Sequence, residues 1–169
     1  MEDGDSWVFS KVITAEGKSA VDIYNKSLET FTELYGDANE VIKQSDKESG
    51  IVIGKGFLLS DIYEWNAWNV AVFKVWRIVK IEARDGRYKI TVTIRDIDLE
   101  YGPKISEHCL HGDAYKLHDF YPYNNEAYKK FHSGHFSLLQ TTCFGAQETI
   151  DAFAMKINKK LNEQTKDDW

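Results

Sequence analysis

Three of the chain's five histidines stand beside one of its two cysteines in "EHCLHGDAYKLHDF", residues 107–120, and the other two follow in "FHSGH", residues 131–135. Imidazole nitrogen and thiolate sulfur are favoured zinc donors, and a tetrahedral site commonly takes short-spaced pairs from two segments. His108, Cys109 and His111 could supply one pair, and His132 with His135 the other. This set defines one reading of the chain, a metal-binding protein or metal-dependent hydrolase. The spacing matches no finger pattern, and neither HExxH nor paired CxxC occurs. The competing reading is a polar loop whose histidines cap turns, pack edge-on or face solvent.

Other reactive groups are sparser. Covalent catalysis by Cys109 or Cys143 needs a low-pKa thiol with an oriented histidine. His108 and His111 adjoin Cys109 only in sequence, and Cys143 stands among apolar residues near an expected helix start. Asp96, Asp98 and Glu100 alternate along a strand, the pattern of a solvated, charge-protected face. No catalytic residue and no cofactor is expected. The aromatic residues cluster more clearly. Trp65, Trp68, Trp76, Tyr101, Tyr115, Phe120, Tyr121 and Tyr123 lie on or just after one long hairpin. They either pack an irregular segment onto the sheet or line a groove for a peptide, glycan or small apolar ligand. For the groove, the expected ligand-binding residues are Trp68, Trp76, Tyr101, Tyr115, Tyr121 and Tyr123.

The elements that must position these groups follow from periodicity. "WVFSKVIT", Trp7 to Thr14, is rich in β-branched and aromatic residues and predicts a first strand. Ser19 with Asp22 three residues on resembles a capping box, and Tyr24, Leu28, Phe31 and Tyr35 recur at helical spacing up to Gly36. This predicts an amphipathic helix over 20–35. Apolar runs on either side of "SDKESG" predict a hairpin of Val41–Gln44 with Ile51–Leu59. Gly54 and Gly56 alternate in its second strand, which points to a close approach or a bulge. A phosphate loop would open a helix, and strand residues follow here.

The strongest strand signal is "WNVAVFKVWRIVKIEARDGRYKITVTIRDIDLEY". Asp85–Gly86 reads as a two-residue type I′ turn, pairing Ala83 with Tyr88, Ile81 with Ile90 and Val79 with Val92 on one face. Nearer the far end, Val70, Val72, Leu99 and Tyr101 fall on the other face, so a phase change is expected near Trp76 and Arg95. Residues 102–134 show no period and form an irregular excursion, and Ala146, Ile150, Phe153, Ile157 and Leu161 predict a last helix. The predicted order is β-α-β-β-β-β-α, an α+β antiparallel sheet with two helices on one face, in a single domain over 1–169.

Composition narrows the function classes. Of the chain's 169 residues, 27 are Asp or Glu and 21 are Lys or Arg, giving a net charge of -6. The cations are scattered along the sequence, so nucleic acid is not an expected partner. No apolar run approaches the ~20 residues of a membrane span. "MEDGDSWVFS" is acidic and lacks the apolar core of a signal peptide. Two cysteines define no redox compartment.

The opening strand with "KVI", the helix start "GKSAVDIY" and the string "VIKQSDKESGIVIGKG" together resemble a domain-of-unknown-function family. That family has a TATA-binding-protein-like fold and is found mainly in Bacteroidetes. The likeness is best over residues 7–101 and weaker over the final helix. It implies a helix-grip or TBP-like α+β fold and an extracytoplasmic location for a chain that starts after a removed signal peptide. It implies no catalytic residues. TATA-binding protein reads DNA through a basic sheet built from a duplicated unit, whereas this chain has one acidic unit. The function expected is a non-catalytic binding or interaction module. Its surface would be formed by the long hairpin and residues 102–134, and its partner would be an unknown protein or small ligand.

Overall fold

The computed structural model describes residues 6–57, 62–65, 71–100 and 133–163. The elements run β1 (Trp7–Thr14), α1 (Ala20–Tyr35), α2 (Ala38–Val41), β2 (Ile42–Asp46), β3 (Ile51–Gly56), β4 (Ile62–Trp65), β5 (Ala71–Arg84), β6 (Arg87–Glu100) and α3 (Ser133–Asn162). The expected α+β antiparallel architecture is present. Two short elements join it, the single turn α2 and the four-residue β4, both too brief to show a period.

The chain forms two compact units. One comprises residues 9–56, 78–92 and 147–169, and the other residues 1–8, 57–77 and 93–146. In the first, the strands lie in the order β1-β6-β5-β3-β2. The β2–β3 hairpin is antiparallel, with Gln44 opposite Ile53 and Asp46 opposite Ile51, and its register slips between Ile42 and Gln44. In the second unit, β4 pairs antiparallel with β5, setting Ile62 opposite Lys74 and Trp65 opposite Ala71.

Helix α1 forms where its sequence predicts. Ser19 caps it, its Oγ accepting the Asp22 N–H at 3.1 Å and donating to the Asp22 carboxylate at 2.6 Å. Gly36 ends it at φ 79°, donating its N–H to the Thr32 carbonyl. The buried face carries Ile23, Tyr24, Ser27, Thr30 and Phe31. Its two hydroxyls are satisfied internally, Ser27 donating to the Ile23 carbonyl and Thr30 to that of Lys26, each at 2.7 Å.

The glycines of β3 explain how that face docks. A Cβ on Gly54 would collide with the Phe31 ring, and one on Gly56 would sit 2.7 Å from the Tyr35 ring. The close approach foreseen at these glycines is therefore by aromatic side chains of α1, and the bulge lies opposite, in β2. Phe31 in turn meets Phe153 of α3 edge-on, with centroids 4.8 Å apart. Both helices thus cover one face of the sheet. Val52, Val79, Ile81, Ala83, Tyr88, Ile90, Val92, Ile150 and Ile157 complete this core, all buried.

The buried alternation predicted around Asp85–Gly86 holds for Val79, Ile81 and Ala83 on β5 and for Tyr88, Ile90 and Val92 on β6. The buried row keeps its phase from Val79 back to Val75, and the stretches in which the expected phase change near Trp76 and Arg95 would show, 71–74 and 95–100, have side chains outside those described. Arg77 and Val75 are also fully buried, in step with Val79. A charged residue in a core-facing slot breaks the apolar pattern of the sequence without breaking the strand. The side chains of Val72 and Leu99, and residues Val70 and Tyr101, lie outside those described.

Helix α3 is longer than its apolar period suggests, beginning at Ser133. "SGHFSLLQTTCFG" carries β-branched Thr141 and Thr142 and a mid-helix Gly145, which lower its intrinsic helix signal. Cys143 is therefore well inside the helix and not near its start.

Candidate functional site

The first unit has a second face. Residues 52, 54 and 56 of β3 point toward α1, so Ile51, Ile53 and Lys55 point the other way, and Gln44 and Asp46 stand opposite Ile53 and Ile51. On β1, Lys11 reaches Asp151 of α3 at 2.9 Å, which leaves Ser10, Val12 and Thr14 on the side away from the helices. On β5 and β6, Lys80, Glu82, Arg84, Arg87, Lys89 and Thr91 alternate with the buried row. All of these side chains are half-buried or exposed, and Val12 is 62% exposed.

This open face is basic, although the chain is acidic. Among the described residues, Lys55, Lys80, Arg84, Arg87 and Lys89 share it with Asp46 and Glu82. Lys80 is engaged by Glu82 at 3.0 Å. Asp46 is engaged locally: hydrogen bonds from the Ser49 hydroxyl and N–H, and from the Glu48 N–H, hold its carboxyl below the ordinary value. Arg84, Arg87 and Lys89 form no ion pair among the described residues and surround a shallow depression of about 280 Å³ with Val12, Glu82 and Tyr88.

The depression stands on a braced hairpin tip. The Asp85 carboxylate accepts the Ala20 N–H at 2.8 Å, while Gly86 donates its N–H to the Lys18 carbonyl at 2.9 Å and accepts that of Ala15 at 2.8 Å. Ala83 donates to the Gly50 carbonyl at 2.8 Å, tying in the β2–β3 turn. Below, the Tyr88 hydroxyl donates to Asn158 Oδ1 at 2.9 Å, with the Ala154 carbonyl at 3.3 Å, and burial pushes its phenol well above the ordinary pKa. Arginine stays protonated in proteins, so Arg84 and Arg87 keep their charge and this arrangement can hold an anion.

Of the aromatic residues expected to bind a ligand, Trp76 is described. It packs edge-on against Phe57, with centroids 5.0 Å apart, in the other unit. Trp68, Tyr101, Tyr115, Tyr121 and Tyr123 lie outside the described residues, as do His108, Cys109, His111 and His132. His135 falls in the first turn of α3. Among the described residues no three His, Cys, Asp or Glu side chains group so as to hold a metal. No helix of the described residues is long and apolar enough to cross a membrane.

Two features escape a reading by residue type. One is the basic face, because its cations come from three strands and are not consecutive in sequence. The other is fully buried Arg77, packed against Gly145 of α3 in the second unit, where a Cβ would collide with the guanidinium. Its signal was its place in the row Val75, Arg77, Val79, Ile81.

An antiparallel sheet backed by helices on one face, its other face half-buried or exposed among the described residues, places the chain in the α+β class. The model of the domain of unknown function DUF4468, with TBP-like fold, matches residues 9–97, and the chain belongs to that family. The fold also matches a TBP-like protein from Parabacteroides distasonis at TM-score 0.59 and 20% identity, covering 92% of this chain and 95% of that one. A DUF4468 family protein from Bacteroides ovatus matches at TM-score 0.62 and 20% identity, covering 93% of this chain and 88% of that one. At this identity the likeness is one of fold. No curated protein matches the chain.

Proposed function

We propose that the protein is a non-catalytic binding module that engages its partner through the open face of the β5–β6 hairpin and its neighbouring strands. The observation that carries this reading is the exposed, cation-lined depression on the sheet face opposite both helices. A flat, charged face on a braced sheet suits a protein interface, which needs shape and charge rather than an enclosed cavity. The hairpin belongs to the surface expected from the sequence; the aromatic residues after it remain a proposed extension.

Site-specific photo-crosslinking in the native cells tests the surface. A photoreactive residue at Ser10 or Thr91 is expected to capture a partner that the same residue at Asn25 or Glu148, on the helix side, does not. Adducts from the helix-side positions alone, or from none of the four, would overturn the proposal.

A further inference from the structure

Resting on that open-face reading, we infer that the occupant is an acidic polypeptide segment whose carboxylates seat on Arg84, Arg87 and Lys89 beside Val12. These three cations gather at one depression without an ion-pair partner among the described residues, on a chain whose net charge is -6. The guanidinium groups of Arg84 and Arg87 present planar donor forks that match carboxylate geometry. Exposed Val12 offers an apolar contact at the same depression.

The size and charge of the site decide among anions. About 280 Å³ open to solvent falls just below the ~300–1,000 Å³ usual for small-molecule pockets, so a free small ligand would stay largely exposed. A nucleic acid or an anionic membrane spreads charge over many phosphates, and its affinity grows with the number neutralised. Three local cations on an acidic chain serve such polyanions poorly. Screening limits the field to ~8 Å at physiological salt, so a short acidic segment feels mainly the nearby cations. The preferred segment alternates acidic and apolar residues, to meet both the cations and Val12.

The test is titration of the full chain with a synthetic peptide of alternating Glu and Val. A lysine-for-glutamate version, an oligonucleotide of equal length and phosphatidylserine vesicles are run in parallel. The Glu-Val peptide is expected to bind, to shift the amide resonances of Val12, Arg84, Arg87 and Lys89, and to weaken with added salt. Arg84→Glu combined with Arg87→Glu is expected to weaken it about tenfold or more. Both positions are exposed strand ends, and an unchanged Tm checks the fold. Lys89→Gln is the milder variant, used if the Tm falls.

No binding by the Glu-Val peptide, undiminished binding by the variants, or tighter binding of the oligonucleotide or vesicles would overturn the inference. Crosslinks from Ser10 or Thr91 that survive the charge reversals would reject an acidic partner and leave the open-face reading standing. Absence of those crosslinks from the unmodified chain would reject that reading itself.

Discussion

Asp85 and Ala20, 65 residues apart, are joined by a 2.8 Å hydrogen bond in which the hairpin-turn carboxylate accepts the first N–H of helix α1. The turn of the longest hairpin therefore completes the cap of a helix from another part of the chain. Ser19 serves the Asp22 N–H of the same first turn, so two orphan donors are met by two different elements. A carboxylate there also faces the positive end of the helix dipole.

Asp85→Ala is expected to destabilise the protein by about 1 kcal/mol, as loss of a helix cap does. For a chain of this size that corresponds to a Tm lower by roughly 2–4 °C. Asp85→Asn keeps the acceptor and should recover most of the loss. Thermal melts of the two variants separate the hydrogen bond from the charge.

Gly54→Ala is expected to destabilise by roughly 1–3 kcal/mol, the range for forcing extra volume into a packed core. The new Cβ would collide with the fully buried Phe31 ring, itself held against Phe153. Phe31→Leu in the Gly54→Ala background should restore part of this, since it removes the obstructing ring atoms. Denaturant unfolding of the single and double variants gives the coupling.

Gly145→Ala reverses the usual sign. In a helix interior, Gly to Ala normally stabilises by about 1 kcal/mol. Here the added methyl would collide with the guanidinium of Arg77, which is fully buried. A lowered Tm is expected for Gly145→Ala, with a smaller deficit when Arg77→Met is added. A raised Tm in the single variant would show that Arg77 moves aside freely.

Acid should weaken the hold of α3 on α1 and β1. Lys156 and then Lys160 hold the Glu33 carboxyl below its ordinary value of 4.5, Lys160 at 3.1 Å. Lys11 and then Gln147 do the same for Asp151 relative to 3.8. A depressed folded-state pKa contributes stability above the unfolded value, and that contribution is lost as pH falls through the folded one. The Tm is therefore expected to drop as pH falls below about 4.5. Glu33→Gln with Asp151→Asn should flatten that drop, and added salt should flatten it further. Melts from about pH 7 to about pH 3 measure both effects.

The local elements were legible in the chain itself. Ser19 with Asp22, the spacing of Tyr24, Leu28 and Phe31, and Asp85–Gly86 between alternating rows carry short-range information in cap, period and turn. The structure follows them closely, because each depends on residues within a few positions. The antiparallel α+β class follows from their order. Four-residue β4 and the first half of α3 were not legible, since neither shows a period strong enough to separate it from loop.

The tertiary structure decided what sequence neighbourhood cannot express. That Arg77 sits in the core follows from strand alternation carried through a charged residue. That Gly54 and Gly56 accept the α1 aromatic rings depends on how a helix lies across a strand. Val12, Arg84, Arg87 and Lys89 come from β1, β5 and β6, and only the strand order β1-β6-β5 gathers them around one depression. Composition reports the sum of the charges. Pairing and pleat determine which of them share a face.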